Sequence, residues 1–169
     1  DLLRYRFLME RSPFDGVVLR ISTVDAAGRP HNFSSEAAAR PFPPEELAPA
    51  IEELKAAASD RLRHHFLRVN LNPADRPFDL FDDAAWATLT ANLVAAARTA
   101  RLADLRGLLL DPEAYSEPDP GTGRRRYNVF DYSRRDPADR SFADARQQAF
   151  RHGAAVACAN IGTDAPGPS

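Results

Sequence analysis

A chain of 169 residues is long enough for one domain with a sizeable core. Hydrophobic residues are 44% and charged residues 27%, as in an ordinary folded domain, and a net charge of −2 gives no field favouring nucleic acid or a membrane surface. The single Cys158 excludes an intrachain disulfide framework and a cysteine zinc site, and no run approaches the roughly 18 apolar residues of a membrane span.

The first twelve residues are mixed, with Leu2, Leu3, Phe7 and Leu8 available for packing. Phe14 to Ser22 reads as the first strand, its near-continuous Val/Leu/Ile run predicting burial on both faces. Val24 to Pro41 reads as a polar loop. Pro43-Pro44-Glu45-Glu46 then opens a helix, with proline in the first turn and acids at the positive dipole end. Leu47, Ile51 and Leu54 make its apolar stripe. Pro49 should break a helix interior, so the regular helix is expected to begin near Ala48.

His64 to Asn72 is the second strand, stopped by Pro73. Alternation puts Phe66, Arg68, Asn70 and Asn72 on one of its faces. Asp82 or Asp83 caps a long helix whose apolar side is Trp86, Leu89, Leu93, Ala96, Ala97 and Ala100. Gly107 to Tyr115 is the third strand, and Ser116 to Arg140 a long loop. Ser141-Phe142-Ala143-Asp144 resembles a capping box with Asp for the usual Glu. The helix it opens should turn Phe142, Ala145, Ala149 and Val156 inward. Gly153 to Ile161 is ambiguous between helix and a fourth strand. These elements make a single α/β domain over residues 1–161, and the Pro/Gly-rich residues 162–169 read as a disordered tail.

Strands alternating with helices imply parallel pairing in the order one, two, three. The first strand is followed by no GxGxxG or GxxxxGK[ST], which weakens a nucleotide reading. Polar residues gather after every strand: Arg20 and Ser22, then Arg68, Asn70 and Asn72, then Asp111, Glu113 and Tyr115. A TIM barrel collects its chemistry at the C-terminal ends of its strands. The expected fold class is therefore α/β, parallel βα units like the N-terminal part of a TIM (β/α)8 barrel. A whole barrel takes about 250 residues and eight strands, so the chain is expected to be either the incomplete N-terminal part of one or a smaller α/β domain. Such an edge needs cover, from self-association or from the missing barrel half.

Asp111 and Glu113 lie at i and i+2, hence on one face and about 6–7 Å apart. Paired carboxylates near that separation are what glycosidases use, one as acid and one as nucleophile, base or electrostatic partner. The bland alternative is that both cap a turn or pair with arginines. Arg68, Asn70 and Asn72 offer hydrogen bonds to sugar hydroxyls, or simply internal polar packing. Tyr115 and Tyr132, with Tyr127 and Phe130, offer ring faces for stacking on a sugar, or anchors for the loop. Arg124-Arg125-Arg126 reads as a solvated run. His64 and His65 begin a strand, at the end away from the acids, while His31 and His152 are isolated. No metal and no cofactor is expected.

The pieces Pro13–Val18, Phe66–Asn70, Phe81–Trp86 and Gly107–Tyr115, in that order, are similar to bacterial proteins of the glycoside-hydrolase-like TIM-barrel class. The likeness covers roughly residues 13–160. It implies a glycosidase-type site with Glu113 as general acid/base and Asp111 stabilising developing positive charge. Asn70 and Tyr115 would position the substrate, with Arg68, Asn72 and Tyr132 binding it. The implied partner is a carbohydrate, and an extracellular or periplasmic setting is favoured over the cytoplasm. The other reading is a non-catalytic carbohydrate-binding or barrel-derived assembly module.

Overall fold

Five helices and five strands follow one another in a computed structural model that describes residues 2–71, 78–112, 132 and 140–161. They are α1 (Leu2–Met9), β1 (Val18–Leu19), β2 (Ser22–Val24), β3 (Pro30–Asn32), α2 (Phe33–Glu36), α3 (Pro44–Ala56), β4 (Phe66–Asn70), α4 (Asp83–Leu102), β5 (Gly107–Asp111) and α5 (Phe142–Ile161). The architecture is mixed α/β. β1, β4 and β5 form a parallel sheet in that order, with Val18 opposite Phe66, Phe66 opposite Gly107 and Asn70 opposite Asp111. The three strands expected from the apolar runs are thus parallel neighbours in chain order.

Gly16 sets the approach to this sheet. A Cβ there would sit 2.1 Å from the His64 carbonyl oxygen. Only glycine lets the two backbones close enough for the Asp15 carbonyl to accept from the Arg63 and His64 N–H groups. The strands then split into two faces. Leu67 and Val69 of β4 are fully buried, and Leu108 and Leu110 of β5 pack on the same core. Trp86, Leu89, Leu93 and Ala96 of α4, with Phe33 of α2 and Leu47 of α3, complete it. On the opposite face Val18, Phe66 and Leu109 are exposed. Among the described residues, the helices therefore cover one side of the sheet and leave the other open.

Several expectations need correction. The first strand does not run from Phe14 to Ser22. Only Val18–Leu19 pairs with β4, and Ser22–Val24 leaves to pair antiparallel with Pro30–Asn32. The polar stretch after Val24 is thus a hairpin and a short helix. The turn is built by Asp25, whose Oδ1 accepts from the Ala27 and Arg29 N–H groups at 2.9 Å, and by Gly28 at φ 79°. Asn32 caps α2 by accepting from Ser34 N at 3.0 Å.

α3 runs unbroken from Pro44 through Pro49. Pro49 and Glu45 are both exposed, so water can take the carbonyl that proline leaves without a donor. The second strand is Phe66–Asn70, shorter than His64–Asn72, and the third ends at Asp111 rather than Tyr115. Gly153 to Ile161 is helix. On α5 the inward residues are Ala145 and Gln148, with Val156 half-buried, whereas Phe142 and Ala149 are exposed. Gln148 goes inward because Asp83 and His152 hydrogen-bond it, at 2.8 and 2.9 Å. The caps fell where expected: Asp82 accepts from Ala85 N, and Ser141 and Asp144 bond each other reciprocally.

Candidate functional site

Alternation along β4 and β5, with their parallel register, puts Phe66, Arg68, Asn70, Leu109 and Asp111 on the open face. Phe66 lies at the N-terminal end of β4, Arg68 and Leu109 stand opposite each other at mid-strand, and Asn70 and Asp111 lie at the C-terminal ends. Arg68 Nη2 donates to Asp111 Oδ2 in a short ion pair, both side chains mostly withdrawn from solvent. Asn70 stands directly opposite Asp111 in the register. The strand end is held from two sides. Ser34 Oγ of α2 donates to the Arg68 carbonyl at 2.6 Å, and Leu71 N donates to the Asp111 carbonyl at 2.8 Å. A charge-assisted bond of this kind orients both partners.

The structure thus brings together Arg68, Asn70 and Asp111. Asn72, Glu113 and Tyr115 lie outside the described residues, as do Tyr127, Phe130, Arg124-Arg125-Arg126 and the tail. Tyr132 anchors the start of α5: its hydroxyl donates to the Arg140 carbonyl at 2.9 Å, and its ring meets Phe142 edge-on at 5.2 Å.

A second polar cluster went unread in the sequence. His31 of β3 sits between two carboxylates, Nδ1 at 2.8 Å from Glu36 Oε2 and Nε2 at 3.2 Å from Asp25 Oδ2. Carboxylates only accept, so satisfying both contacts requires the doubly protonated ring. Glu36, then Asp25, accordingly raise the His31 pKa. The Arg29 backbone N–H, then its guanidinium, hold Asp25 far below the usual carboxylate range. Buried Glu46 of α3 accepts from Thr23 Oγ1 at 2.5 Å and from both terminal nitrogens of Arg40 at 2.8 and 2.5 Å. Arg40 also lies 4.1 Å over the Phe42 ring. These contacts tie the hairpin to α2 and α3. The Asp25-to-Gly28 spacing was the available signal, since Asp and Gly there specify a turn.

Cavities among the described residues flank the fold. One of about 380 Å³ lies between the end of α2 and the start of α4, beside Ala38, Phe78 and Thr88. Another of about 600 Å³ lies at the N-terminal ends of β4 and β5, remote from Asp111. Among the described residues no group of three or more His, Cys, Asp or Glu side chains could hold a metal ion, and no helix is long and apolar enough to cross a membrane. No protein-family model, no curated protein and no solved structure matches this chain.

Proposed function

We propose that this chain forms the opening βα units of a TIM-type barrel and carries a glycosidase-type carbohydrate site on its open sheet face. The observation that carries the reading is the pair Asn70 and Asp111 at the C-terminal ends of adjacent parallel strands, with Arg68 bonded to Asp111, on the side that no described helix covers. That side corresponds to a barrel interior, and that end to where barrel enzymes place their chemistry. The strand order supports it as well. A doubly wound sheet reverses strand order and covers both faces, whereas among the described residues the strands follow in chain order under one helical layer.

In this scheme Glu113, two residues beyond Asp111, is the general acid/base. Asp111 is held in orientation by Arg68 and faces the positive charge that develops at the anomeric centre. Asn70 and Tyr115 position sugar hydroxyls and ring, with Arg68 and Asn72 on the binding surface; Tyr132, which packs on the core at the start of α5, has no part in it. One observation favours the second reading, a non-catalytic carbohydrate-binding or assembly module. The Arg68 guanidinium offsets the Asp111 charge, as a structural pair would.

Hydrolysis of an aryl-glycoside panel, with direct binding of the same sugars, separates the two. Catalysis predicts turnover that falls about 10²–10⁴-fold in Glu113→Gln at an unchanged urea midpoint. Binding without turnover, equal in wild type and Glu113→Gln, selects the module. Neither turnover nor binding refutes both.

A further inference from the structure

Beyond β1 the chain leaves the parallel sheet as a hairpin of two three-residue strands, β2 and β3. Because β1 runs parallel to β4 and β5, the hairpin departs from the same end of the sheet as Asn70 and Asp111. Its base is fixed. Ile21 and Thr23 are buried, Phe33 N donates to the Ile21 carbonyl at 3.0 Å, and Thr23 is bonded to Glu46. Its tip has no such packing. From Val24 to Pro30 every residue is exposed except Asp25. A two-stranded ribbon this short is marginal without help from the rest of the fold.

His31 supplies that help. One ring nitrogen meets Asp25 of the turn and the other meets Glu36 of α2, all three side chains being mostly withdrawn from solvent. The other charges around the ring are accounted for. Arg29 holds Asp25 from outside, through Nε at 2.8 Å and Nη2 at 2.7 Å. Arg40, paired with Glu46 of α3, opposes the charge on the ring. Phe42 meets the ring edge-on at 6.4 Å, and Thr23, opposite His31 in the ladder, is uncharged. A neutral imidazole has one N–H. It keeps one carboxylate and turns a lone pair toward the other, so the line from the turn to α2 is continuous only through the cation.

We propose that His31 is a pH-operated latch: the imidazolium holds the Asp25–Arg29 turn against α2, and deprotonation frees the turn while the base of the hairpin stays in place. The latch sets the order of a loop at the sheet end that carries Asn70 and Asp111, whatever that end binds.

Backbone-amide NMR relaxation across a pH series, with the His31 ring resonances followed in the same samples, tests this. The ring should titrate above the ordinary value of 6.5. Order parameters of Ala26 to Arg29 should fall from about 0.85 toward about 0.6 with the same midpoint, while Ile21 and Phe33 keep theirs. Glu36→Gln, which removes one of the two carboxylates, should move both midpoints down together. His31→Gln, which has no ionisable ring, should abolish the step. No sugar enters the measurement, so its outcome is independent of any carbohydrate site. A ring that titrates at or below 6.5, order parameters level through its titration, a step at another midpoint, or a step that survives in His31→Gln would each overturn the proposal.

Discussion

Asn92 is the side chain whose loss should cost the fold most for its size. It lies on α4, only 2% exposed, and closes the loop between α2 and α3. Its Oδ1 accepts from Phe42 N at 3.0 Å, and its Nδ2 donates to the Ala37 and Arg40 carbonyls, both at 2.7 Å. Asn92→Ala removes three hydrogen bonds at once. The Phe42 N–H and the Ala37 carbonyl belong to buried residues, whereas Arg40 is only half-buried, so its carbonyl can recruit water. Two orphaned groups at about 1–2 kcal/mol each, with a small cavity, give a loss of about 3–5 kcal/mol. That is a large share of the roughly 5–15 kcal/mol a domain has. Urea unfolding followed by Trp86, the only tryptophan, reads it directly. Asn92→Asp should be at least as damaging, because its carboxylate would face two carbonyls. A loss below about 1 kcal/mol in Asn92→Ala would refute the reasoning.

Trp86 is 4% exposed, stacks on His152 with ring centroids 4.2 Å apart and meets Phe78 edge-on at 5.3 Å. Trp86→Ala should cost about 3–5 kcal/mol by thermal or denaturant unfolding, followed by circular dichroism. Gly16→Ala should cost at least about 2 kcal/mol, because the added carbon meets backbone rather than a movable side chain; an unchanged midpoint would contradict that contact. His31 has a raised pKa in the fold, so its contribution is fully present below the ordinary value of 6.5 and is lost as pH rises through the raised value. The stability difference between wild type and His31→Gln should therefore shrink on going from acid to alkaline pH. A difference that grows with pH would show that the ring is not held as the cation.

The parallel sheet was legible because β1 and β5 carry adjacent Val or Leu residues and β4 alternates apolar and polar ones, near charge, proline or glycine. Trp86 was legible as core because it begins an apolar stripe that keeps helical spacing through Ala100. The hairpin was not. Ser22–Val24 and Pro30–Asn32 are three residues each, too short to show a period, and only the Asp25 turn marks them. Asn92 interrupts an apolar stripe and reads as a surface position until its partners, 50 to 55 residues away, fold against it. Likewise, alternation placed Arg68 and Asp111 each on a strand face, but their pairing across 43 residues depends on register. On α5, Phe142 was expected inward and is exposed, while Gln148 is buried because Asp83 and His152 hydrogen-bond its amide, partners the sequence does not show.

The central claim is a carbohydrate site on the open face at Arg68, Asn70 and Asp111. Its most direct test is a backbone-amide NMR titration of the chain with a panel of mono- and oligosaccharides. The account predicts saturable shifts for at least one sugar at Arg68 to Leu71 and at Leu109 to Asp111, abolished by Asn70→Ala with the other resonances unmoved. Saturable shifts elsewhere on the chain, or none at the ends of β4 and β5 with any sugar, would contradict it.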